Sequence, residues 1–259
     1  MKNLQLTEVF NYFGIDHQRK EHLSKIAFDQ SRHTLDVEYY RSPGYDNEWG
    51  AYSEIVDYIA KSAPTIENKV QLLFEVFEIF PTYAHSMMEI YYLVALGQIQ
   101  KTHQDFQSYF WKKLISYFIS KNEAYRGASV YMLGIELFEN NETMDYTWNS
   151  FIEFGDNTYE EYEVLLMNSW YVKMSLKVKL YSDLVQDKKY HVLILKSIAK
   201  SEGCCDFRTS IRQAVIREAL PILNQLLYLD ENTLDEGMKR WYKSIKLKVQ
   251  WHNLMRESK

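Results

Sequence analysis

An apolar pattern that returns every 37 residues constrains this chain more than any other feature of its sequence. Within each 37-residue unit the large apolar residues lie three positions apart, which is the spacing of one face of an α-helix. A shift of 37 residues aligns three columns of large apolar residues: Phe74 with Trp111 and Trp148, Phe77 with Leu114 and Phe151, and Phe80 with Tyr117 and Phe154. The pattern therefore predicts one amphipathic helix repeated three times.

The same shift aligns a second set of apolar positions, which predicts a second helix in each unit. These columns are Val56, Leu93, Val130 and Met167 and, three residues later, Ile59, Leu96, Leu133 and Trp170. Two amphipathic helices cannot bury both apolar faces alone, so consecutive units must stack into a continuous core. We therefore predict an all-α chain, a right-handed α-solenoid of stacked antiparallel helix pairs, with irregular terminal helices.

A short motif links this periodicity to a known class of repeats. Residues 125–134 read Tyr-Arg-Gly-Ala-Ser-Val-Tyr-Met-Leu-Gly, and residues 93–97 repeat the end of that pattern. The motif resembles the second helix of HEAT-like repeats, where an arginine and a small residue precede an apolar pair and leucine-glycine. Residues 211–220 look similar but lie outside the 37-residue register. The resemblance implies a fold of stacked helix pairs, and fold alone does not specify function.

The composition and the positions of prolines and turn-forming residues indicate how the chain is organised. Hydrophobic residues make up 46% and charged residues 25%, with only four prolines, which describes an ordered globular chain. Ser62 to Thr65 predicts the start of a helix, since proline is tolerated in a first turn. We predict a single all-helical domain over 1–259. Its soft subdivisions are an N-terminal helix pair and loop (1–46, with a turn-rich loop at 40–47), regular repeats (47–172) and irregular basic helices (173–259).

Sequence motifs for catalysis or metal binding are missing. The chain has no His-Glu-x-x-His pattern, no P-loop and no Gly-x-Ser-x-Gly turn, and its two cysteines, Cys204 and Cys205, are adjacent. We therefore predict no metal and no cofactor, and favour a protein that is not an enzyme. The N-terminal residues lack the apolar run of a signal peptide, and no stretch of about 20 apolar residues occurs. We expect a cytoplasmic protein that does not enter a membrane.

Charge is distributed unevenly along the chain. Residues 127–172 contain no Lys, Arg or His but nine acidic residues, whereas residues 173–259 contain 17 Lys and Arg against 10 Asp and Glu. An acidic segment with interleaved tyrosines is typical of a surface that docks a basic protein, because opposite potentials accelerate encounter. A solvated face that serves only solubility remains the alternative interpretation.

The leading hypothesis is a protein-protein interaction module that binds a basic protein partner, as a bacterial immunity protein binds its toxin. The predicted partner-binding residues share this acidic segment: Glu139, Asp156, Tyr159, Glu160, Glu161, Tyr162 and Glu163. We expect the three glutamates at 160, 161 and 163 to lie near the start of one helix, where the helix dipole favours their charge.

A second surface supports a different class of function. Four basic residues lie near one side of a predicted C-terminal helix and are candidates for phosphate contacts: Lys239, Arg240, Lys243 and Lys246. The HEAT-like resemblance includes DNA glycosylases, which bind damaged duplexes in basic grooves with tryptophans. Here Trp111, Trp148 and Trp170 lie in core register within or beside the acidic segment. A nucleic-acid-binding protein or a DNA glycosylase remains the alternative interpretation. Nucleic acid is a less favoured partner than a basic protein.

Overall fold

The computed structural model describes residues 2–32, 45–81, 86–126, 141–168, 172, 174–203 and 209–257, and most of these residues lie in helices. No strand occurs in these ranges. The α-helices whose two ends both lie in these ranges are α1 Leu6–Tyr12, α2 His17–Arg32, α3 Tyr45–Ser62, α4 Ile66–Ile79, α5 Met88–Ala95, α6 Gln104–Phe118, α7 Asn141–Phe154, α8 Tyr159–Asn168, α9 Met174–Leu184, α10 His191–Gly203, α11 Thr209–Leu226 and α12 Glu236–Glu257. The predicted all-α class is confirmed.

The chain divides into two compact units, which we call unit 1 (Met1–Glu161) and unit 2 (Tyr162–Lys259). The single-domain interpretation and its subdivisions stay predictions. The predicted 40–47 loop is shorter at its C-terminal end than the sequence indicates. Helix α3 begins at Tyr45 and therefore includes the last three residues of that loop. Residues 40–44 lie outside the described ranges.

Local sequence explains the entry into α4. Thr65 has an extended backbone, and its side-chain oxygen accepts a hydrogen bond from the Asn68 backbone N–H at 3.1 Å. This N-cap satisfies one of the donors that a helix start leaves free. The helix start predicted from Ser62 to Thr65 is confirmed. The Asn68 side chain, which is buried, in turn holds the N-terminal chain through both backbone groups of Leu4.

The three predicted apolar columns are buried in α4, α6 and α7, which begin 37 or 38 residues apart. Aromatic contacts join these helices in order. The rings of Phe77 and Tyr117 meet edge-on at 5.0 Å between α4 and α6, and those of Phe118 and Phe151 stack at 5.7 Å between α6 and α7. The columns therefore mark a shared interior of unit 1.

The second set of columns is only partly correct. Val56, Ile59 and Leu93 are buried, but Leu96 is 64% exposed. The reason is local, because α5 ends at Ala95 and Gly97 adopts a positive φ of 65°. The N–H groups of Gly97 and Gln98 bond back to the carbonyls of Val94 and Leu93, which is a Schellman motif that turns Leu96 outward. Val130, Leu133 and Trp170 lie outside the described ranges, and Met167 is half-buried.

The interior of unit 2 contains polar side chains among its apolar residues. Lys177 on α9 is fully buried and donates a hydrogen bond to the Ser201 hydroxyl on α10 at 2.9 Å. The Tyr181 and Ser197 hydroxyls lie 2.7 Å apart, and Ser197 donates to the Leu166 carbonyl at 2.9 Å. Helix α10 packs against α9, α11 and α12, so this polar cluster lies at the centre of the unit.

Candidate functional site

The predicted acidic residues cluster at the start of α8, as the sequence indicates. Glu160 and Glu161 occupy the first turn of this helix, and Asp156 lies three residues before its first residue, Tyr159. Asp156, Glu160 and Glu163 are exposed, and no basic residue in the described ranges forms an ion pair with any of them. Carboxylates in this position interact favourably with the positive end of the helix dipole.

Glu161 is a correction to the predicted site, because only 4% of it is exposed. The Thr158 hydroxyl accepts a hydrogen bond from the Glu161 N–H at 3.2 Å, and Glu161 Oε2 accepts one from the Thr158 N–H at 3.3 Å. This reciprocal pair is a capping box. A Cβ at Gly155 would lie 3.0 Å from Glu161 Oε2 and 2.8 Å from the Phe151 carbonyl, so the carboxylate packs against the preceding turn. Glu161 therefore helps to cap the start of α8, and its carboxylate is not accessible to a partner.

The two tyrosines of the predicted site differ in their surroundings. Tyr159 is exposed, whereas Tyr162 is half-buried and its ring meets that of Tyr190 edge-on at 5.6 Å. The aromatic ring of Tyr162 therefore packs within unit 2. Glu139 lies outside the described ranges. The predicted residues that stay exposed on α8 and in the turn before it form the acidic surface, defined as Asp156, Tyr159, Glu160 and Glu163.

The predicted basic residues lie on α12, where the same chain neutralises most of them. Lys239 forms an ion pair with Glu236 at 2.7 Å, and Glu231 pairs with Lys246 at 3.1 Å and with Lys243 at 3.6 Å. Two carboxylates therefore occupy three of the four cations that a phosphate would need.

The remaining members of this basic surface differ in availability. The Lys246 ammonium also lies 4.6 Å from the ring centroid of Tyr242, a cation-π contact that holds it along the helix. Arg240 is exposed. The basic surface, Lys239, Arg240, Lys243 and Lys246, thus offers a phosphate fewer free charges than its sequence indicates.

A cluster on unit 1 escaped the sequence interpretation. Glu78 on α4 pairs with Lys113 at 2.5 Å and accepts a hydrogen bond from the Tyr117 hydroxyl at 2.9 Å, while its carbonyl accepts one from Tyr125 at 2.8 Å. Burial, and then the bond to Glu78, raise the pKa of Tyr117 well above its ordinary value. Tyr109, which is exposed, lies one turn before Lys113.

The only signal for this tyrosine-glutamate cluster was the spacing of Tyr109, Lys113 and Tyr117 at i, i+4 and i+8, which places them on one side of α6. Nothing in the sequence connects that side to Glu78, because the pairing needs two helices brought together. The tyrosines are neutral at physiological pH, so the cluster provides hydrogen bonding and aromatic contact area.

The described ranges contain no group of three or more His, Cys, Asp or Glu side chains arranged to hold a metal ion. Cys204 and Cys205 lie outside those ranges. Trp111 and Trp148 are buried in the interior of unit 1, so neither indole is available to stack on a nucleic-acid base.

No family model, curated protein or solved structure matches this chain. The HEAT-like resemblance accordingly depends on the residue pattern alone, and the site has to be interpreted from its own geometry. In the described part of the chain, no helix has both the length and the apolar character needed to cross a bilayer.

The two units differ strongly in charge. Unit 1 contains 13 Lys and Arg against 24 Asp and Glu, whereas unit 2 contains 17 against 11, so their formal charges are −11 and +6. A unit with this excess of carboxylates projects a negative potential into solvent, which attracts cationic macromolecules over about one Debye length.

Proposed function

We propose that this protein is a non-enzymatic interaction module that binds a basic protein partner through the acidic surface at the start of α8. The observation that carries the proposal is the difference in pairing between its charged surfaces. Asp156, Glu160 and Glu163 are exposed and form no ion pair within the described chain, whereas Lys239, Lys243 and Lys246 are paired internally. Unpaired charges are the ones that retain interaction energy for a partner.

The electrostatics of unit 1 support this choice of partner. A formal charge of −11 steers a basic protein toward the unit, and exposed carboxylates then fix its orientation at close range. Tyr159 beside these carboxylates supplies apolar contact area together with a hydroxyl, a combination that is enriched at protein interfaces. A bacterial immunity protein that neutralises a basic toxin is one class of protein that fits this description.

The finer architecture is part of the proposal. We infer that unit 1 is a right-handed, HEAT-like solenoid in which α3/α4 and α5/α6 are successive helix pairs and α7 belongs to the next. The ordered contacts of α4 with α6 and of α6 with α7 support this arrangement. A crystal structure in which these helices follow one another with a constant right-handed rotation is the expected result, and an up-and-down bundle would contradict it.

The functional test begins with identification of the partner. Tagged full-length protein captures binding proteins from the cells of its source, and a captured protein is purified for surface plasmon resonance. The test variant combines Asp156→Asn, Glu160→Gln and Glu163→Gln. We expect its association rate to fall about tenfold at low salt, because steering depends on these charges, and the difference to vanish at high salt.

A matched control removes the same number of charges from residues of unit 1 that lie outside α8. It combines Glu54→Gln, Asp105→Asn and Glu123→Gln, which are exposed residues outside α8, with Glu123 4.0 Å from the Arg126 guanidinium. We expect this control to slow association by less than about twofold. An acidic partner, or equal rates for the wild type and the test variant at low salt, would contradict the proposal.

A further inference from the structure

A tyrosine and a histidine of unit 2 form a hydrogen-bonded pair that neither charged surface includes. Tyr228 lies in the turn after α11 and is 58% exposed, whereas His191, the first residue of α10, is only 6% exposed. The Tyr228 hydroxyl is hydrogen-bonded to Nδ1 of His191, and the two rings meet edge-on with their centroids 5.8 Å apart. The pair therefore joins an exposed phenol to a buried imidazole.

A backbone carbonyl decides where the protons of this pair lie. His191 Nε2 is 2.7 Å from the carbonyl oxygen of Val185, which follows the end of α9. A carbonyl oxygen can only accept, so Nε2 carries the ring proton and donates it to Val185. In the neutral ring Nδ1 is then an acceptor, and the Tyr228 hydroxyl donates to it. The phenol proton of Tyr228 therefore points at a base that a third group holds in place.

This order of groups is the one that activates a hydroxyl as a nucleophile. Such activation needs a base within hydrogen-bond reach of the hydroxyl and a further group that orients the base. Both ring nitrogens of His191 are occupied, one by the Val185 carbonyl and the other by the phenol, so the imidazole is placed to take up a proton and not to attack. The oxygen of the exposed Tyr228 is the atom that an electrophile in solution would meet.

The charges on the segments that carry the pair favour an uncharged electrophile over a phosphate donor. Asp187, in the turn that leads to the histidine, pairs with Lys189 at 3.2 Å and accepts a hydrogen bond from its N–H at 3.0 Å. Asp230, two residues after the tyrosine, is exposed. Lys188 is exposed and forms no ion pair in the described chain, but one lysine does not offset two carboxylates. A polyphosphate would be repelled here, whereas a neutral carbonyl compound would not.

We infer that Tyr228 is an acceptor site for an acyl group from an activated ester, with His191 as the general base. The phenol oxygen attacks the carbonyl carbon while the phenol proton passes to Nδ1 of His191. The tetrahedral intermediate then expels the leaving group, which takes that proton from the imidazolium, and a tyrosyl ester and a free alcohol or phenol result. The reaction is stoichiometric, with one acyl group per chain. It uses no residue of the acidic surface, so failure of either proposal leaves the other intact.

The test treats the full-length wild type with p-nitrophenyl acetate and follows acetylation of each tyrosine by peptide mass spectrometry. Tyr12 and Tyr92 are the internal controls, because their exposures of 67% and 48% bracket that of Tyr228 and neither hydroxyl is bonded to a described histidine. We expect Tyr228 to react at least about tenfold faster than either control, since a positioned general base typically contributes more than that. Equal rates for the three tyrosines would overturn the inference without any mutation.

The variant His191→Gln tests the base itself. Glutamine offers an amide N–H for the Val185 carbonyl and an amide oxygen for the Tyr228 hydroxyl, but it has no basic nitrogen. We expect acetylation of Tyr228 to fall to about the rate of Tyr92, while Tyr12 and Tyr92 react as they do in the wild type. Unchanged acetylation of Tyr228, in a variant that unfolds cooperatively on heating, would overturn the inference.

Imidazole rescue separates a chemical role of His191 from a structural one. In His191→Ala the space of the ring beside the phenol is open to added imidazole, which can then accept the phenol proton. Free imidazole also promotes acetylation of every exposed tyrosine, so the quantity measured is the ratio of the rates at Tyr228 and Tyr92. We expect imidazole to raise this ratio at least about fivefold. A ratio that imidazole leaves unchanged would mean that His191 only packs against Tyr228, and would overturn the inference.

Discussion

The acidic surface on α8 and the basic surface on α12 have similar densities of charge in the sequence, but the structure treats them differently. On α12, Glu231 lies between Lys243 and Lys246 and neutralises both. On α8, Glu160 and Glu163 face solvent without a basic neighbour in the described ranges, and only Glu161 is used internally. Local pairing, rather than formal charge, decides which surface retains electrostatic energy for a partner.

The interiors of the two units also differ in how they use polar groups. The described core of unit 1 depends on stacked aromatic and aliphatic residues, such as Phe77 against Tyr117. The core of unit 2 also uses polar groups, including the buried Lys177 and the hydrogen-bonded pair Tyr181 and Ser197. Unit 1 also buries polar side chains, but Asn68 and Glu161 lie at helix starts, where they form hydrogen bonds near the beginnings of α4 and α8.

The largest expected effect tests whether apolar packing stabilises unit 1. Phe77→Ala removes a fully buried ring from the contact between α4 and α6. We expect the free energy of unfolding to fall by about 3 to 5 kcal/mol, because transfer and cavity terms add. Leu96→Ala, at an exposed position, should change it by less than about 0.5 kcal/mol. Urea denaturation followed by circular dichroism measures both, and similar losses would break the comparison of interior and surface.

The next effect separates Glu161 from its exposed neighbours. Thr158→Ala removes the N-cap of α8, and we expect a loss of about 1 kcal/mol in the free energy of unfolding. Glu160→Gln should be nearly neutral, since its exposed carboxylate forms no hydrogen bond or ion pair with a described residue. Thermal unfolding of the two variants distinguishes them. Equal stabilities would show that the capping box does not stabilise α8.

A hydroxyl in the core of unit 2 tests its polar interior. We expect Tyr181→Phe to cost about 1 kcal/mol at pH 7, the usual contribution of one buried hydrogen bond. Burial raises the pKa of Tyr181, so the folded protein keeps this phenol neutral while the unfolded chain ionises near pH 10. Above pH 10 the wild type therefore loses stability that the variant keeps.

The pH arm of this experiment has a defined outcome. Because one unit of pH corresponds to about 1.4 kcal/mol for a single group, the difference between wild type and Tyr181→Phe should close within about one unit above pH 10. Denaturant titrations at pH 7, 10 and 11 measure it. A difference that stays constant from pH 7 to pH 11 would mean that Tyr181 ionises equally in the folded and unfolded states.

The smallest expected effect compares the charged surfaces directly. Glu231→Gln leaves Lys243 and Lys246 without their shared carboxylate, and we expect a loss of about 0.5 kcal/mol at low salt that disappears at high salt. The triple variant of Asp156, Glu160 and Glu163 should change stability by less than that. Greater destabilisation by the triple variant would show that the acidic surface serves folding.

The sequence by itself determined the helical class and the residues that α4, α6 and α7 bury, because a repeated face of large apolar side chains has one stable solution, which is mutual packing. It also located the charged segments. The exposure of Leu96 and the capping role of Glu161 follow from local turns. Both turns have signatures in the sequence, the glycine after Leu96 and the threonine three residues before Glu161, and at these two positions the turns override the apolar and charge periodicities.

Only the tertiary structure decided which charges are available and which apolar face of α12 is uncovered. The pairing of Glu231 with two lysines of α12 and of Glu78 with Lys113 and Tyr117 joins residues 12 to 39 positions apart, and no helical period connects such positions. Leu247 and Val249 are both apolar and two residues apart, yet one is exposed and the other buried. Sequence hydropathy does not distinguish them, because burial depends on where the neighbouring helices lie.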